Sequence, residues 1–207
     1  IMSQFFSIHP QNPQKRLIQK AGDIVLGGGI IVYPTDSAYA LGCSLDNKQG
    51  LDRIREIRKI SLDHDFTLVC RDLSDLGSYA RVSNQVYRML KSNTPGAYTF
   101  ILEASRRVPK RLVQAKRKTI GMRVPENRIC HALVQAVGEP MMSTSLILAG
   151  DTDPLTDPYE IRQILESDVD LVIDGGFCGL EPSTVVELTG DRPRILRRGC
   201  GDIAPFD

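Results

Sequence analysis

A chain of 207 residues with 42% hydrophobic and 25% charged content is long enough to bury a sizeable core and short enough to form one domain over residues 1–207. No stretch reaches the roughly 20 apolar residues of a membrane helix, and no charged segment with an apolar run and a cleavage site opens the chain, so neither secretion nor membrane insertion is expected. The five cysteines, Cys43, Cys70, Cys130, Cys178 and Cys200, are odd in number and never form a Cys-x-x-Cys pair, which argues against a disulfide framework or zinc ribbon and fits a reducing cytoplasm.

Ile1, ahead of Met2, reads as a processing remnant and is left out of fold reasoning. Asn12-Pro13 predicts a helix start, with Leu17, Ile18, Ala21, Ile24 and Val25 following at helical spacing. Gly27 to Gly29 stops that helix, and the β-branched run Ile30 to Tyr33 predicts a buried strand. A second strand covers Tyr39 to Leu45. Asn47 opens a helix carrying Leu51, Ile54 and Ile57, and Phe66 to Cys70 follows as a strand. Ser83 opens a helix with Val86, Tyr87 and Leu90, then Pro95-Gly96 turns into the strand Tyr98 to Glu103.

Between Arg106 and Lys118 the chain carries seven cations and no acid. It shows no apolar periodicity and predicts a long functional or mobile loop. Strand Ile120 to Val124, helix Glu126 to Val137, strand Met142 to Leu148, helix Pro158 to Glu166 and strand Val169 to Ile173 then alternate. The strands Thr184 to Leu188 and Arg194 to Arg197 close the chain without a helix between them. The pattern predicts an α/β protein with a twisted, open sheet of mixed parallel and antiparallel strands. From Asp151 to Asp174 eight acids face Arg162 alone, so a net charge of +1 conceals one surface that attracts polyanions and another that repels them, unless both runs are only solvated faces.

The triple glycine follows a helix and opens a strand, the reverse of a phosphate-binding loop, and neither a Walker motif nor Gly-x-Ser-x-Gly occurs. No metal site is expected, because Cys130 and His131, adjacent on a helix, point in different directions. Three hydroxyl clusters carry more. Thr35-Asp36-Ser37 ends a strand where ligands of open sheets bind, although turn capping explains such residues equally well. Ser143-Thr144-Ser145 interrupts an apolar strand with Ser143 and Ser145 on one face. Ser183-Thr184 follows Pro182. With the isolated arginines these suggest an anion-and-alcohol site.

The run from Gly28 through Tyr33-Pro34-Thr35-Asp36-Ser37 to Gly42 resembles the opening signature of the YrdC-like threonylcarbamoyl-AMP synthase family. The resemblance continues in order through Thr94 to Leu102, Gly121-Met122-Arg123-Val124-Pro125, Pro182 to Val186 and Leu196 to Gly199. Its details are closest to the YciO branch. Where family synthases carry Lys-x-Arg-Pro, this chain has Lys59-Ile60-Ser61-Leu62; the family Ser-x-Asn is Ser143-Thr144-Ser145, and Ala40 replaces a usual glycine.

The resemblance implies a YrdC-like fold with a basic concave groove. It implies condensation of L-threonine, bicarbonate and ATP, carried with Mg2+ as substrate, into threonylcarbamoyl-AMP and pyrophosphate for tRNA modification, with no tightly bound cofactor. Lys59, Arg123 and Ser143 would then be catalytic, and Thr35, Ser61, His64, Thr99, Ser145, Ser183 and Arg197 would contact substrate or nucleotide. Loss of the family Arg and Asn, at Ser61 and Ser145, implies weak or shifted activity. The alternative is a tRNA or double-stranded RNA binder of the same fold, with Lys116, Arg117 and Lys118 on the backbone phosphates.

Overall fold

The computed structural model describes residues 2–61 and 64–207; Leu62, in the segment aligned with the family Lys-x-Arg-Pro, lies outside them. The chain runs β1 (Gln4–Ser7), α1 (Lys15–Leu26), β2 (Ile31–Tyr33), β3 (Ala40–Ser44), α2 (Lys48–Arg58), β4 (Thr67–Val69) and α3 (Leu73–Tyr79). It continues through β5 (Ala80–Arg81), α4 (Asn84–Asn93), β6 (Tyr98–Ala104), β7 (Thr119–Arg123), α5 (Arg128–Val137) and β8 (Met141–Ser145). The final elements are α6 (Pro158–Leu165), β9 (Leu171–Asp174), β10 (Thr184–Glu187) and β11 (Arg194–Arg197).

Side-chain caps fix several helix starts. Asn47 accepts from Gly50 N, Ser83 from Val86 N and Asn127 from Cys130 N, each satisfying an otherwise orphaned amide for about 1 kcal/mol. Helix α1 starts later than Asn12-Pro13 predicts. Its N-cap is Gln14, because His9 Nδ1 takes the amides of Gln11 and Asn12 and so folds them into a preceding turn.

All strands join one mixed sheet in the order β1-β9-β2-β3-β8-β4-β7-β6-β10-β11, with β5 beside β6. The mixed α/β architecture expected from the sequence is therefore present. Four strand pairs are parallel, β1 with β9, β2 with β9, β4 with β7 and β6 with β10, and the other pairings are antiparallel. One face buries Val32, Leu41, Leu68, Phe100 and Met122 beneath Leu51, Ile54, Leu76, Leu90 and Ile161 from α2, α3, α4 and α6. The other face buries Ile31, Tyr33, Met141, Leu171 and Ile173 beneath Ile18, Ala21 and Val25 of α1 and Ile129, Leu133 and Val134 of α5. Each fully buried aliphatic or aromatic side chain contributes roughly 1.5–3 kcal/mol.

The segment predicted as a long mobile loop is anchored instead. Val108 and Leu112 are buried in the first core, a 3-10 turn spans Lys110–Leu112, the Arg111 guanidinium donates to the Leu45 carbonyl, and Arg107 lies over the Tyr79 ring. Two apolar residues four apart in a basic run are too few to show as periodicity. The acidic run leads into β9 near one edge of the sheet while the basic run joins β6 to β7 toward the other. Four strands, β2, β3, β8 and β4, thus lie between β9 and β7 in the sheet. No helix among the described residues is long and apolar enough to cross a membrane.

Candidate functional site

Residues paired across neighbouring strands project to the same face. One such row runs Gly42, Ser143, Thr67, Gly121, Ile101. A row nearer the other strand ends holds Val69 with Arg123 and, further along, Thr99 with Val185 and Arg197. This is the face that α1 and α5 cover over β9, β2, β3 and β8. Beyond those helices, over β4, β7, β6 and β10, it is partly exposed at Thr67, Ile101 and Val185. Its floor is tight at Gly121, where an added Cβ would stand 3.2 Å from both Thr67 Oγ1 and Thr99 Cγ2.

The loop after β2 forms one wall. Thr35 is 1% exposed and its hydroxyl closes a local turn, donating to Ala38 O at 2.6 Å and accepting from the amides of Ser37 and Ala38. The capping role weighed from the sequence is therefore the one its hydroxyl has here. The loop leading to β10 passes directly over this turn at Gly179, where a Cβ would lie 2.0 Å from Ser37 O; only glycine admits that approach.

Arg123 ends β7, 7% exposed. Its Nη2 donates to Asp36 Oδ1 at 2.7 Å and to Ser37 Oγ at 3.0 Å, while Asp36 Oδ2 accepts from Glu126 N at 2.7 Å. Arg123 Nε is buried with no partner. Across the groove Arg197 donates from Nε and Nη2 to Ser183 O, and from Nη2 to Ser183 Oγ. Ser183 Oγ in turn meets Thr99 Oγ1 at 2.6 Å. Burial and the positive charge of Arg123 both push the Arg197 pKa down, so the two guanidiniums feel one another.

Ser143 lies on the same face, its Oγ bonded to Tyr33 Oη at 2.5 Å, and Ser145 stands opposite Ala40. On the opposite face of β8, where Thr144 pairs with Leu41, half-buried Arg58 donates from Nη1 to Thr144 Oγ1 at 2.5 Å and from Nε to Ile147 O at 3.0 Å. His64 Nε2 lies 3.4 Å from Thr144 Oγ1 and 3.5 Å from Arg58 Nη1. Burial first and Arg58 second push the His64 pKa down, so its ring is neutral near pH 7. Lys59 caps α2 in the left-handed region, φ 51° and ψ 44°, and is exposed, as is Ser61.

The structure thus brings together Thr35, Thr99, Arg123, Ser143, Ser145, Ser183 and Arg197 on one side of the sheet, and places the predicted His64 beside Thr144, which projects to the other side. Lys59 and Ser61 stand apart, without a hydrogen bond to the groove. The sequence reading passed over Asp36, which holds Arg123, and Arg58, whose head group reaches the end of β8. Asp36 sat in view inside a quoted motif; Arg58 carried no signal beyond adjacency to Lys59. Lys116, Arg117 and Lys118 are exposed, and Arg117 pairs with Glu187 at 3.5 Å. A separate cavity of about 1030 Å3 opens beside the Thr35 turn, reaching Arg71, Lys91, Arg128, His131 and Phe177. Of the predicted site residues only Thr35 lines it, beside Asp36, so this cavity and the strip of predicted residues meet only at the Thr35 turn. No group of three or more His, Cys, Asp or Glu among the described residues could hold a metal ion.

The Sua5/YciO/YrdC family model, described as "Telomere recombination", matches residues 23–199. The uncharacterized protein YciO of Escherichia coli strain K12 is 57% identical over 205 residues, covering 99% of this chain and 100% of that protein. The E. coli YciO crystal structure superimposes with a TM-score of 0.95. Sua5 of P. abyssi complexed with L-threonine shares the fold at a TM-score of 0.86 and 24% identity, over 95% of this chain and 58% of that one. Full-length HypF in its phosphate- and nucleotide-bound form also shares it, at 0.75 and 18% identity, over 88% of this chain and 29% of that one. With the model spanning most of the chain and a relative aligned from end to end, the chain belongs to the Sua5/YciO/YrdC family.

Proposed function

We propose that the groove binds ATP, as its Mg2+ complex, with L-threonine and bicarbonate, and forms threonylcarbamoyl-AMP and pyrophosphate slowly, in support of tRNA threonylcarbamoyladenosine modification. The observation that carries this reading is the meeting of Arg123, Arg197, Ser183 and Thr99 on one face of the sheet, two cations of which only Arg123 bonds a carboxylate among the described residues. That leaves positive charge for a phosphate. The fold shared with Sua5, solved with L-threonine, and with HypF, solved with phosphate and nucleotide, supports ligands of these kinds.

In the reaction the threonine amine condenses with bicarbonate, losing water to give the carbamate, and a carbamate oxygen then attacks the α-phosphorus in line with departing pyrophosphate. Positioning and charge screening then supply most of the acceleration. Arg123 and Arg197 screen the nucleotide, Ser143 and Ser183 offer hydroxyl donors, and exposed Lys59 is free to turn onto the departing phosphates. Ser61 and Ser145 leave the far end short of donors, and one such donor is worth roughly 10² to 10³ in rate. Consumption of ATP would place the protein in the cytoplasm.

The test is pyrophosphate release from ATP with and without threonine and bicarbonate. Slow, threonine-dependent release is expected, raised by Ser61→Arg, raised further by adding Ser145→Asn, and lost in Lys59→Ala. ATP binding with no threonine effect, and no release from the double variant, would sink the proposal. A second reading, binding of tRNA or double-stranded RNA without adenylation, is favoured by one observation: Lys116 and Lys118 are exposed and have no carboxylate among the described residues within ion-pair distance. Shape and phosphate readout suits a chain with 6% aromatic residues and no Trp better than base stacking does.

A further inference from the structure

The Asp36–Arg123 pair is the most enclosed ion pair among the described residues, with side chains 10% and 8% exposed. A buried guanidinium needs both a counter-charge and partners for its N–H groups. Asp36 and Ser37 take Nη2, yet Nε has no partner. Among the described residues the same carboxylate is the only one bonded to either arginine, since Arg197 is held by the backbone and hydroxyl of Ser183. Of the two guanidiniums, Arg123 thus has a carboxylate partner, and Arg197 is held by Ser183 alone among the described residues. Asp36 is itself immobilised, because Oδ2 accepts from Glu126 N just ahead of the Asn127 cap of α5. Two bonds on one nitrogen of Arg123 fix the plane of its fork, and the plane of the fork decides whether an anion can be gripped at two points.

We propose that Asp36 is a positioning residue: it holds the Arg123 guanidinium in the one orientation in which Arg123 and Arg197 together seat a phosphate of the ligand. This rests on the reading of the groove as a nucleotide site and adds the device that shapes it. It also carries an unusual sign. If Asp36 acted only through its charge, removing that charge beside an anion seat would tighten anion binding. If it acts by orientation, removal weakens binding although the site becomes more positive.

The experiment is calorimetric titration of the full chain with AMP and, separately, inorganic pyrophosphate. Asp36→Asn is expected to weaken AMP binding about tenfold, the loss that accompanies a misaligned charged fork. Asp36→Glu, which keeps the charge but not the reach, is expected to weaken it similarly. Ser37→Ala, which removes only the second anchor, should weaken it about threefold. Tighter or unchanged binding in Asp36→Asn, or full binding in Asp36→Glu, would overturn the assignment. If Asp36→Asn fails to melt cooperatively, Ser37→Ala decides, and an unchanged affinity there counts against the proposal. A parent protein that binds AMP but releases no pyrophosphate would remove the proposed reaction and leave the phosphate seat standing. A parent that binds neither probe would remove the seat itself.

Discussion

Tyr33 Oη and Ser143 Oγ meet at 2.5 Å, and both residues are buried, at 0% and 4% exposure. Burial drives the Tyr33 pKa far up, so the phenol stays protonated, and each hydroxyl depends on the other for its partner. Tyr33→Phe or Ser143→Ala alone should therefore cost about 1–3 kcal/mol, the penalty of one unsatisfied buried hydroxyl. The double variant should lose clearly less than the sum. Urea denaturation of the four proteins measures this, and strict additivity would contradict it.

Arg58 and Lys59 are adjacent but hold opposite positions. Arg58→Ala removes the donor to Thr144 Oγ1 and Ile147 O and should destabilise by about 1–3 kcal/mol. Lys59→Ala should change stability little, whereas Lys59→Gly should raise it by up to about 1 kcal/mol, since glycine enters the left-handed region without steric cost. A fall in the denaturation midpoint for Lys59→Gly would refute the cap assignment.

His64 makes stability depend on pH in a stated direction. Its pKa in the folded chain is lowered, by burial and then by Arg58, so between that value and about 6.5 the unfolded chain binds more protons than the folded one. The contribution is complete above about pH 6.5 and is lost as pH falls toward the folded value. Denaturation midpoints taken from pH 7.5 to 5 should show this loss, and His64→Gln should flatten it. A slope identical in the variant would assign the loss to other groups.

Polynucleotide binding, if carried by the basic segment, should weaken steeply with salt. Lys116→Glu with Lys118→Glu should reduce the log-log salt slope by about 2, near 0.9 for each phosphate contact. Arg117→Glu should contribute less, because Arg117 already faces Glu187. Filter binding of a duplex RNA over a salt series reads this, and an unchanged slope would return these residues to a solvated loop.

The sequence by itself determined the alternation of elements, the sides of the strands and the family, because apolar periodicity, Asn and Ser caps, and ordered motifs are local properties of the chain. Ser143 and Ser145 share a face because strands alternate, and that follows from numbering alone. Short pieces escaped it. Strand β1 and helix α3 hold four and seven residues, too few to establish a period, and β1 exists because β9 offers it a parallel edge. The anchoring of the basic segment likewise depends on Val108 and Leu112 finding a distant core. Only the tertiary structure decided that Thr35 closes a turn, that Arg58 rather than Lys59 reaches β8, and that Asp36 holds Arg123 across 87 positions of sequence. Each outcome is a choice among hydrogen-bond partners remote in the chain, and the sheet, by bringing strand ends together, makes that choice.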